Sequence, residues 1–281
     1  MQDHTRTGAA MAVAPTVLWL FVLVGPVPAH LGLASPQPVP AGQELRLAQA
    51  TEGDSPGAGE TKPLAGVTFA DATGTLYAPL RELGEALEMT VSWDSQSQQA
   101  QLDGESVSGE DTRALIDGTQ LIPVRKLGDW NASVSWDKEA ATARISRQTR
   151  EVAVAAGAKR VAISLDEQEL RAWQGGRLVL ETRVSSGRPG HDTPTGSFTA
   201  GPLKRRMLIS KKYNDAKMPW SVQVRGDVVI HGYPSVPPRA ASHGCIRMPL
   251  TGANPAHWFY TWVETGTPIE IADDWPASAA S

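Results

Sequence analysis

The chain has 281 residues, of which 41% are hydrophobic and 20% are charged, and this size and composition suit about two domains with real cores. The net charge of −4 excludes a generally basic nucleic-acid-binding protein. The single cysteine excludes an intrachain disulfide and a cysteine-rich zinc module. Residues 1–150 carry 11 basic and 18 acidic side chains, whereas residues 151–281 carry 15 and 12, so we expect an anionic partner to meet the second half.

The N-terminal segment has the pattern of a secretory signal. Residues 8–29 contain no charged side chain, and eight consecutive apolar residues, VLWLFVLV, occupy positions 17–24. Arg6 precedes this stretch, and small residues such as Ala34 follow it, as in a signal peptide. We therefore predict a signal peptide or membrane anchor at 1–34 and an extracytoplasmic location.

The next segment, residues 35–62, is predicted to be a flexible linker. It is rich in Pro, Gly, Ala and Gln and contains few large apolar residues. Such a composition buries too little apolar surface to form a core.

An internal repeat follows the linker. Residues 76–102 read LYAPLRELGEALEMTVSWDSQSQQAQL, and residues 120–145 read QLIPVRKLGDWNASVSWDKEAATARI, with Pro79 matching Pro123. Each unit predicts a short strand, a helix that begins after the proline, and a second strand with alternating apolar residues. The sequence therefore predicts a small α+β repeat domain over residues 63–148.

This repeat resembles the copper amine oxidase N-terminal-like domain, a module attached to many exported bacterial proteins. The segment contains no His and no Cys, and Met89 is its one soft ligand, so the resemblance does not extend to a copper site. The alternating strand pattern predicts that Trp93 and Trp136 are buried core aromatics. Stacking of these two side chains on sugars is the alternative.

The residues with catalytic potential lie in the last third of the chain. A buried strand, VVI at 228–230, ends at His231, and Cys245 follows 14 residues later within SHGCIR. The Pro-rich connection predicts a loop that folds back and brings the two side chains together. A thiol becomes a strong nucleophile when a neighbouring imidazole accepts its proton. The amides of Gly244 and Cys245 are candidates for an oxyanion hole, and Arg247 is a candidate for binding a carboxylate.

Two other readings of these residues compete with catalysis. A lone cysteine is often a small buried hydrophobe, and His231, His243 and Cys245 together offer three zinc ligands. The second histidine at a strand end favours catalysis over a purely structural cysteine. No further acidic or histidine ligand lies nearby in sequence, so we predict no metal site.

The same stretch resembles the YkuD-type L,D-transpeptidase catalytic domain. The family's core motif is present here as IHGYPSVPPRAASHGCIRM at 230–248. Other matching segments follow in the family's order: TPTGSF at 193–198, MPW at 218–220, NPAHWFY at 254–260 and GTPIEI at 266–271. The resemblance places a catalytic domain at 158–273 and implies a mainly β fold, a YkuD-like β-sandwich with a short helix near the C-terminus.

The resemblance also implies a reaction and a set of roles. The family forms 3→3 cross-links in peptidoglycan through a cysteine thioester acyl-enzyme. Cys245 would be the nucleophile and His231 the base, with its imidazole oriented by the carbonyl of Gly232. His243 would shape the pocket, and the amides of Gly244 and Cys245 would stabilise the oxyanion.

Further residues and partners follow from the resemblance. Arg247, Ser242 and Trp220 are expected to contact the substrate. The implied partners are peptidoglycan stem peptides, with carbapenem-type β-lactams as inhibitors, and neither a metal nor an organic cofactor nor nucleic acid is implied. The basic segment 204–206, together with Lys211, Lys212 and Lys217, is hypothesised to guide anionic wall substrates, the alternative being a solvated loop face.

Two alternative functions stay open. The first is an L,D-carboxypeptidase on the same fold, in which water replaces the acceptor amine. The second is a non-catalytic envelope-binding protein whose working part is the repeat domain. The intact Cys and His residues argue against the second, because a pure binder has no reason to keep a reactive thiol in an oxidising compartment.

Overall fold

A computed structural model describes residues 62–110 and 112–279. The predicted signal or anchor at 1–34 and nearly all of the predicted linker at 35–62 lie outside the described residues. Contacts divide the chain into two units, Met1–Gly57 and Ala58–Ser281, and every described residue belongs to the second. None of the helices within this described part is long and apolar enough to cross a membrane.

Residues 62–155 form what we call the repeat module. It contains one α-helix, α1 (Leu80–Ala86), and a 3-10 helix at Val124–Trp130. Its strands are β1 (Leu64–Ala65), β2 (Val67–Thr68), β3 (Leu76–Pro79), β4 (Val91–Asp94), β5 (Gln99–Leu102), β6 (Glu105–Ser106), β7 (Arg113–Ala114), β8 (Gln120–Pro123), β9 (Ser133–Asp137), β10 (Thr142–Arg147) and β11 (Arg150–Ala155).

The repeat module is built around a pseudo-twofold axis. Its central sheet has the order β2-β3-β8-β7, in which β3 and β8 pair antiparallel and the equivalent residues Ala78 and Ile122 lie opposite each other. The remaining strands form the sheets β4-β5-β6 and β1-β11-β10-β9. The predicted strand-helix-strand order is therefore present in both repeats. The second helix is a 3-10 helix, which is more tightly wound, and its repeat is one residue shorter between helix and strand.

The prediction that Trp93 and Trp136 are core aromatics is wrong. Trp93 is 50% exposed and Trp136 is 53% exposed. Both lie on strands at the ends of their sheets, β4 and β9, where one long edge of each strand has no neighbour among the described strands. The core of the module is filled instead by residues such as Leu83, Leu102 and Ile145.

Residues 159–272 form the second half of the described chain. Its strands are β12 (Lys159–Ser164), β13 (Glu169–Gln174), β14 (Arg177–Arg183), β15 (Gly196–Thr199), β16 (Lys204–Ser210), β17 (Ala216–Arg225), β18 (Val228–Tyr233), β19 (Ile246–Pro249) and β20 (Pro268–Ala272). Its helices are α2 (Pro255–Trp262) and 3-10 turns at Lys211–Tyr213 and, past β20, Ala277–Ala279. The mainly β fold with a short helix near the C-terminus is confirmed.

Two sheets and α2 enclose the core of this half. One sheet has the order β14-β13-β12-β20-β15 and the other the order β16-β17-β18-β19. Ile163 of the first sheet, Ile230 of the second and Phe259 of α2 belong to one buried cluster. The helix begins at Asn254, whose side chain accepts the backbone N–H of His257, as an N-cap residue does.

The repeat module and the second half of the described chain, which holds the candidate catalytic residues, share this core through α2. The ring of Phe69 meets the ring of Trp258 edge-on, with centroids 5.6 Å apart. The side chain of Gln174 donates to the Thr68 hydroxyl at 2.9 Å and accepts from the Trp262 indole at 3.0 Å. Because α2 also contacts β17, β18 and β19, the module supports the sheet that carries the candidate catalytic residues.

Candidate active site

Strand pairing places Cys245 and His231 on the same face of a sheet. β18 and β19 run parallel, with His231 opposite Arg247. Extending that register by two residues sets Cys245 opposite Val229. Side chains alternate along a strand, so Val229 and His231 share one face, and Cys245 faces the same side from the neighbouring strand.

Cys245 is a buried thiol in a cleft of about 350 Å³. It packs against Met218 and Val229, and its Sγ lies 3.7 Å from the carbonyl oxygen of Asp227. Burial raises the pKa of the Cys245 thiol, and this outweighs the lowering by the Val229 backbone N–H and by the charge of Arg247. The resting side chain is therefore the thiol at neutral pH.

His231 is buried and neutral. Its Nδ1 lies 2.9 Å from the carbonyl oxygen of Gly232. A carbonyl oxygen only accepts hydrogen bonds, so Nδ1 carries the proton and Nε2 keeps a free lone pair. Burial lowers the pKa of His231 to about 4; the hydrogen bond to Gly232 opposes this shift, and the charge of Arg247 adds to it. The imidazole can therefore accept a proton at neutral pH.

The backbone before Cys245 is held by two buried hydroxyl groups. Ser242 Oγ donates to the Cys245 carbonyl oxygen and accepts the Gly244 N–H at 3.1 Å. Thr193 Oγ1 donates to the Gly244 carbonyl oxygen at 2.9 Å and accepts the Gly187 N–H at 2.8 Å. Gly244 has a φ of +107°, a conformation that favours glycine. Since the Gly244 N–H is bonded to Ser242, the Cys245 amide is the remaining candidate of the predicted pair of oxyanion donors.

His243 lies beside the cleft in an aromatic cluster. Its ring is 4.8 Å from the ring of Tyr213 and 4.9 Å from the ring of His191, measured between centroids. Partial burial and then the positive charges of Arg188, His191 and Arg247 lower the pKa of His243. The neutral ring therefore borders the cleft at neutral pH.

Arg247 stands next to His231 on the same sheet face. Its guanidinium carbon lies 4.2 Å from the ring centroid of Tyr233. Its backbone forms two hydrogen bonds of 3.0 Å with Ser185, which fixes the strand against the segment after β14. A guanidinium held in this way is suited to bind a carboxylate.

Potential metal ligands do not converge in the described part of the chain. There, no three side chains among His, Cys, Asp and Glu lie close enough together to hold a metal ion. His231, His243 and Cys245, the set considered for zinc, do not form such a group.

Comparison with known proteins identifies the domain that holds this site. Residues 158–271 match the YkuD family model, described as the L,D-transpeptidase catalytic domain. The repeat module lies outside the matched residues, and its resemblance to copper amine oxidase N-terminal-like domains stays a prediction.

Several solved L,D-transpeptidases are similar to the chain. One from Stackebrandtia nassauensis is 22% identical, and the match covers 42% of this chain and 57% of that one with a TM-score of 0.38. One from Xylanimonas cellulosilytica DSM 15894 is 29% identical, with 42% and 62% covered and a TM-score of 0.37. One from Mycobacterium smegmatis is 18% identical, with 75% and 100% covered and a TM-score of 0.37. The chain thus spans less than two thirds of the first two, and no curated protein matches it.

The structure places Trp220 away from the Cys245 cleft, although the sequence predicted a substrate contact. Its ring lies 4.3 Å from His257 and 5.6 Å from Tyr260, both on α2. Met218, two residues earlier, does line the cleft. Trp220 has a φ of +56°, which interrupts the strand geometry and explains why the two side chains do not share a face.

Sequence reasoning missed several residues of the candidate site. Tyr213 and Asp227 line the cleft from the segments on either side of β17, and no motif marks them; Lys212, which the sequence placed with the basic residues near 204–206, lines it too. Tyr233 was within reach of sequence reasoning, because it lies two residues beyond His231 on the same strand and hence on the same face. Thr193 stands in the TPTGSF segment, which carried no assigned role.

Proposed function

We propose that this protein is a peptidoglycan L,D-transpeptidase that forms 3→3 cross-links through a thioester on Cys245. The observation that carries the proposal is the placement of Cys245 and the neutral imidazole of His231 on one sheet face, with His231 Nδ1 held by the Gly232 carbonyl. The cysteine dependence and the role of each residue belong to this proposal.

The first half-reaction starts from two neutral groups. As Cys245 Sγ attacks the carbonyl of the third, L-configured residue of a donor stem peptide, Nε2 of His231 accepts the thiol proton. The Cys245 amide donates to the oxygen of the tetrahedral intermediate. The amide bond to the terminal D-Ala then breaks, and its nitrogen takes the proton from His231. A thioester and free D-Ala result.

The second half-reaction reverses the proton path. An amine of an acceptor stem peptide attacks the thioester while His231 accepts one of its protons. The bond to Sγ breaks, the thiolate takes the proton back, and the new amide is the cross-link. Water in place of the amine gives the shortened peptide of an L,D-carboxypeptidase.

Charged side chains around the cleft suit an anionic substrate. Arg247 offers a guanidinium beside His231, and Lys212 lies at the cleft with 65% of its side chain exposed. Within the basic segment, Lys204 is bound to the carbonyl oxygen of Val263 at 2.6 Å, whereas Arg205 and Arg206 are exposed. We therefore assign the guiding of anionic substrates to the two arginines. The signal-like N-terminus supports a place in the cell envelope, where this substrate occurs.

The test is product analysis by mass spectrometry. The full chain and its Cys245→Ala variant are incubated with disaccharide tetrapeptide. We expect a dimer that has lost one D-Ala, formed by the wild type alone. A Cys245-dependent tripeptide without dimer, in the presence of an acceptor amine, would favour the carboxypeptidase. Equal products from both proteins would refute a cysteine mechanism.

A further inference from the structure

The repeat module carries two grooves that are equivalent under its pseudo-twofold axis. We call them the Trp93 groove, of about 600 Å³, and the Trp136 groove, of about 470 Å³. Each is formed by the helix start and the Val-Ser-Trp strand of one repeat and by the Gly-Thr turn of the other. The equivalent lining residues are Arg81, Trp93 and Thr119 in the first groove and Arg125, Trp136 and Thr75 in the second.

The exposure of the Trp93 and Trp136 side chains indicates a binding surface. About half of each tryptophan is accessible, whereas Trp173, Trp258 and Trp262 are buried. A single exposed aromatic residue is unremarkable, but two at equivalent positions, each lining a concave surface, are typical of a binding surface. The flat faces offer area for stacking, and the neighbouring threonines offer hydrogen-bonding groups.

The charge of the module decides the class of ligand. Residues 62–150 carry 9 basic and 13 acidic side chains. Arg81 pairs with Glu85 at 3.7 Å, whereas Arg125 donates to the neutral hydroxyl of Thr75 at 3.3 Å and keeps its charge. Each groove is therefore lined by a single arginine, and the acidic excess of the module gives it no overall attraction for polyanions. An uncharged ligand with apolar faces and a hydroxylated rim fits these surfaces.

We infer that the two grooves bind an uncharged oligosaccharide, with each indole stacked on the C–H face of a sugar ring. The hydroxyl groups of the sugar bond to polar side chains of the groove rim such as Thr119. The identity of this oligosaccharide rests on the proposed function, under which it is the uncharged sugar backbone of the glycan strand, and the stem peptides attached to that strand go to the Cys245 site. Because the grooves lie on one module, a long strand that reaches both binds more tightly than a short one.

The experiment measures binding without catalysis. The full chain carrying Cys245→Ala is titrated by calorimetry with the N-acetylglucosamine hexamer. We expect Trp93→Ala or Trp136→Ala to weaken binding about tenfold, the size of one aromatic stacking contact, and the double variant to lose it. Trp275→Ala is the matched control, because this tryptophan lies in the catalytic half against Arg171, and it should bind as tightly as the parent.

Three results would overturn the inference. They are absence of hexamer binding, unchanged affinity in the double variant, and binding of a sugar-free stem peptide in preference to the hexamer. The last would instead indicate an extended peptide added to the open edges of β4 and β9. An unchanged melting temperature in the double variant shows that lost affinity is not unfolding. Hexamer binding by a wild-type protein that makes no cross-links would refute the proposed function and leave this inference standing.

Discussion

The hydroxyl of Thr193 donates to the carbonyl oxygen of Gly244 across 2.9 Å, and this peptide group immediately precedes Cys245. The same hydroxyl accepts the N–H of Gly187, so one buried side chain connects the loop after β14 to the backbone next to the proposed nucleophile. Thr193 is thus a positioning residue: by holding the Gly244 carbonyl, it sets the direction of the Cys245 N–H in the same peptide group.

Replacing Thr193 tests this positioning role. Thr193→Val keeps the shape and removes both hydrogen bonds, so we expect kcat for cross-linking to fall about tenfold to a hundredfold with little change in KM, as misplaced catalytic groups cause. Thr193→Ser keeps the hydroxyl and should stay within a few-fold of the wild type. Steady-state kinetics of both variants give the answer, and a wild-type kcat for Thr193→Val would refute the role.

The pH dependence of acylation should reflect the neutral histidine. Because the pKa of His231 is lowered to about 4, the base stays unprotonated down to that pH. We expect kcat/KM to fall only as the pH drops through about 4, well below the usual histidine range. Arg247→Gln removes a nearby positive charge, so it should raise the pKa of His231 and move this fall in kcat/KM to higher pH. An acidic limb near the ordinary histidine value would contradict the buried, neutral imidazole.

Gly187 should tolerate no side chain. A Cβ built there would lie 1.9 Å from the backbone oxygen of His191 and 2.8 Å from the Thr193 nitrogen, and backbone atoms cannot move aside cheaply. We expect Gly187→Ala to lower the free energy of unfolding by about 3 kcal/mol. Gly109→Ala is the matched control, because its Cβ would meet no atom within 4 Å. Urea unfolding of the two variants should separate them clearly.

The joint core predicts that the repeat module and the catalytic domain unfold together. Phe69 is 2% exposed. Its ring packs on Tyr77 of the repeat module and on Trp258 of α2 in the second half of the chain. Phe69→Ala should cost about 3–5 kcal/mol and lower the temperature at which catalytic activity is lost, in a single calorimetric transition. Leu178→Ala, at an exposed position in the catalytic half, should leave that temperature unchanged. Two separate transitions would contradict a joint core.

Carbapenems should acylate Cys245. Opening of the β-lactam ring by Sγ adds the whole inhibitor mass to the protein, with the thiol proton passing through His231 to the ring nitrogen. Intact-protein and peptide mass spectrometry should place the adduct on the Cys245 peptide, and His231→Gln should slow its formation. An adduct on another peptide, or none on folded protein, would count against the assigned nucleophile.

Local patterns in the sequence predicted the fold and much of the site. The repeat, its proline-led helices and the helix that begins at Asn254 follow from spacing and capping chemistry, which act over a few residues. The sequence predicted that the strand end at His231 and the cysteine motif fold back on each other across the Pro-rich loop, and the pairing of β18 with β19 agrees with this.

What sequence could not predict depends on contacts between distant segments. The alternation of apolar and polar residues cannot distinguish a strand at the end of a sheet from a central strand. Trp93 was therefore predicted to lie in the core. The turn of Trp220 away from the cleft depends on a positive φ that no motif marks. The partner of the Gly244 carbonyl, Thr193, lies 51 positions away and becomes visible only when both loops meet.

The pairing of Ala78 with Ile122 makes the two repeats of the module depend on each other. Each half supplies one of the two central strands and one wall of each groove, so half a module would expose an unpaired strand edge and an open core. A single repeat could pair this strand edge and cover this core by associating with a second copy across a true twofold axis. Neither repeat of this chain is therefore expected to fold alone, and a deletion that removes one of them should unfold the other.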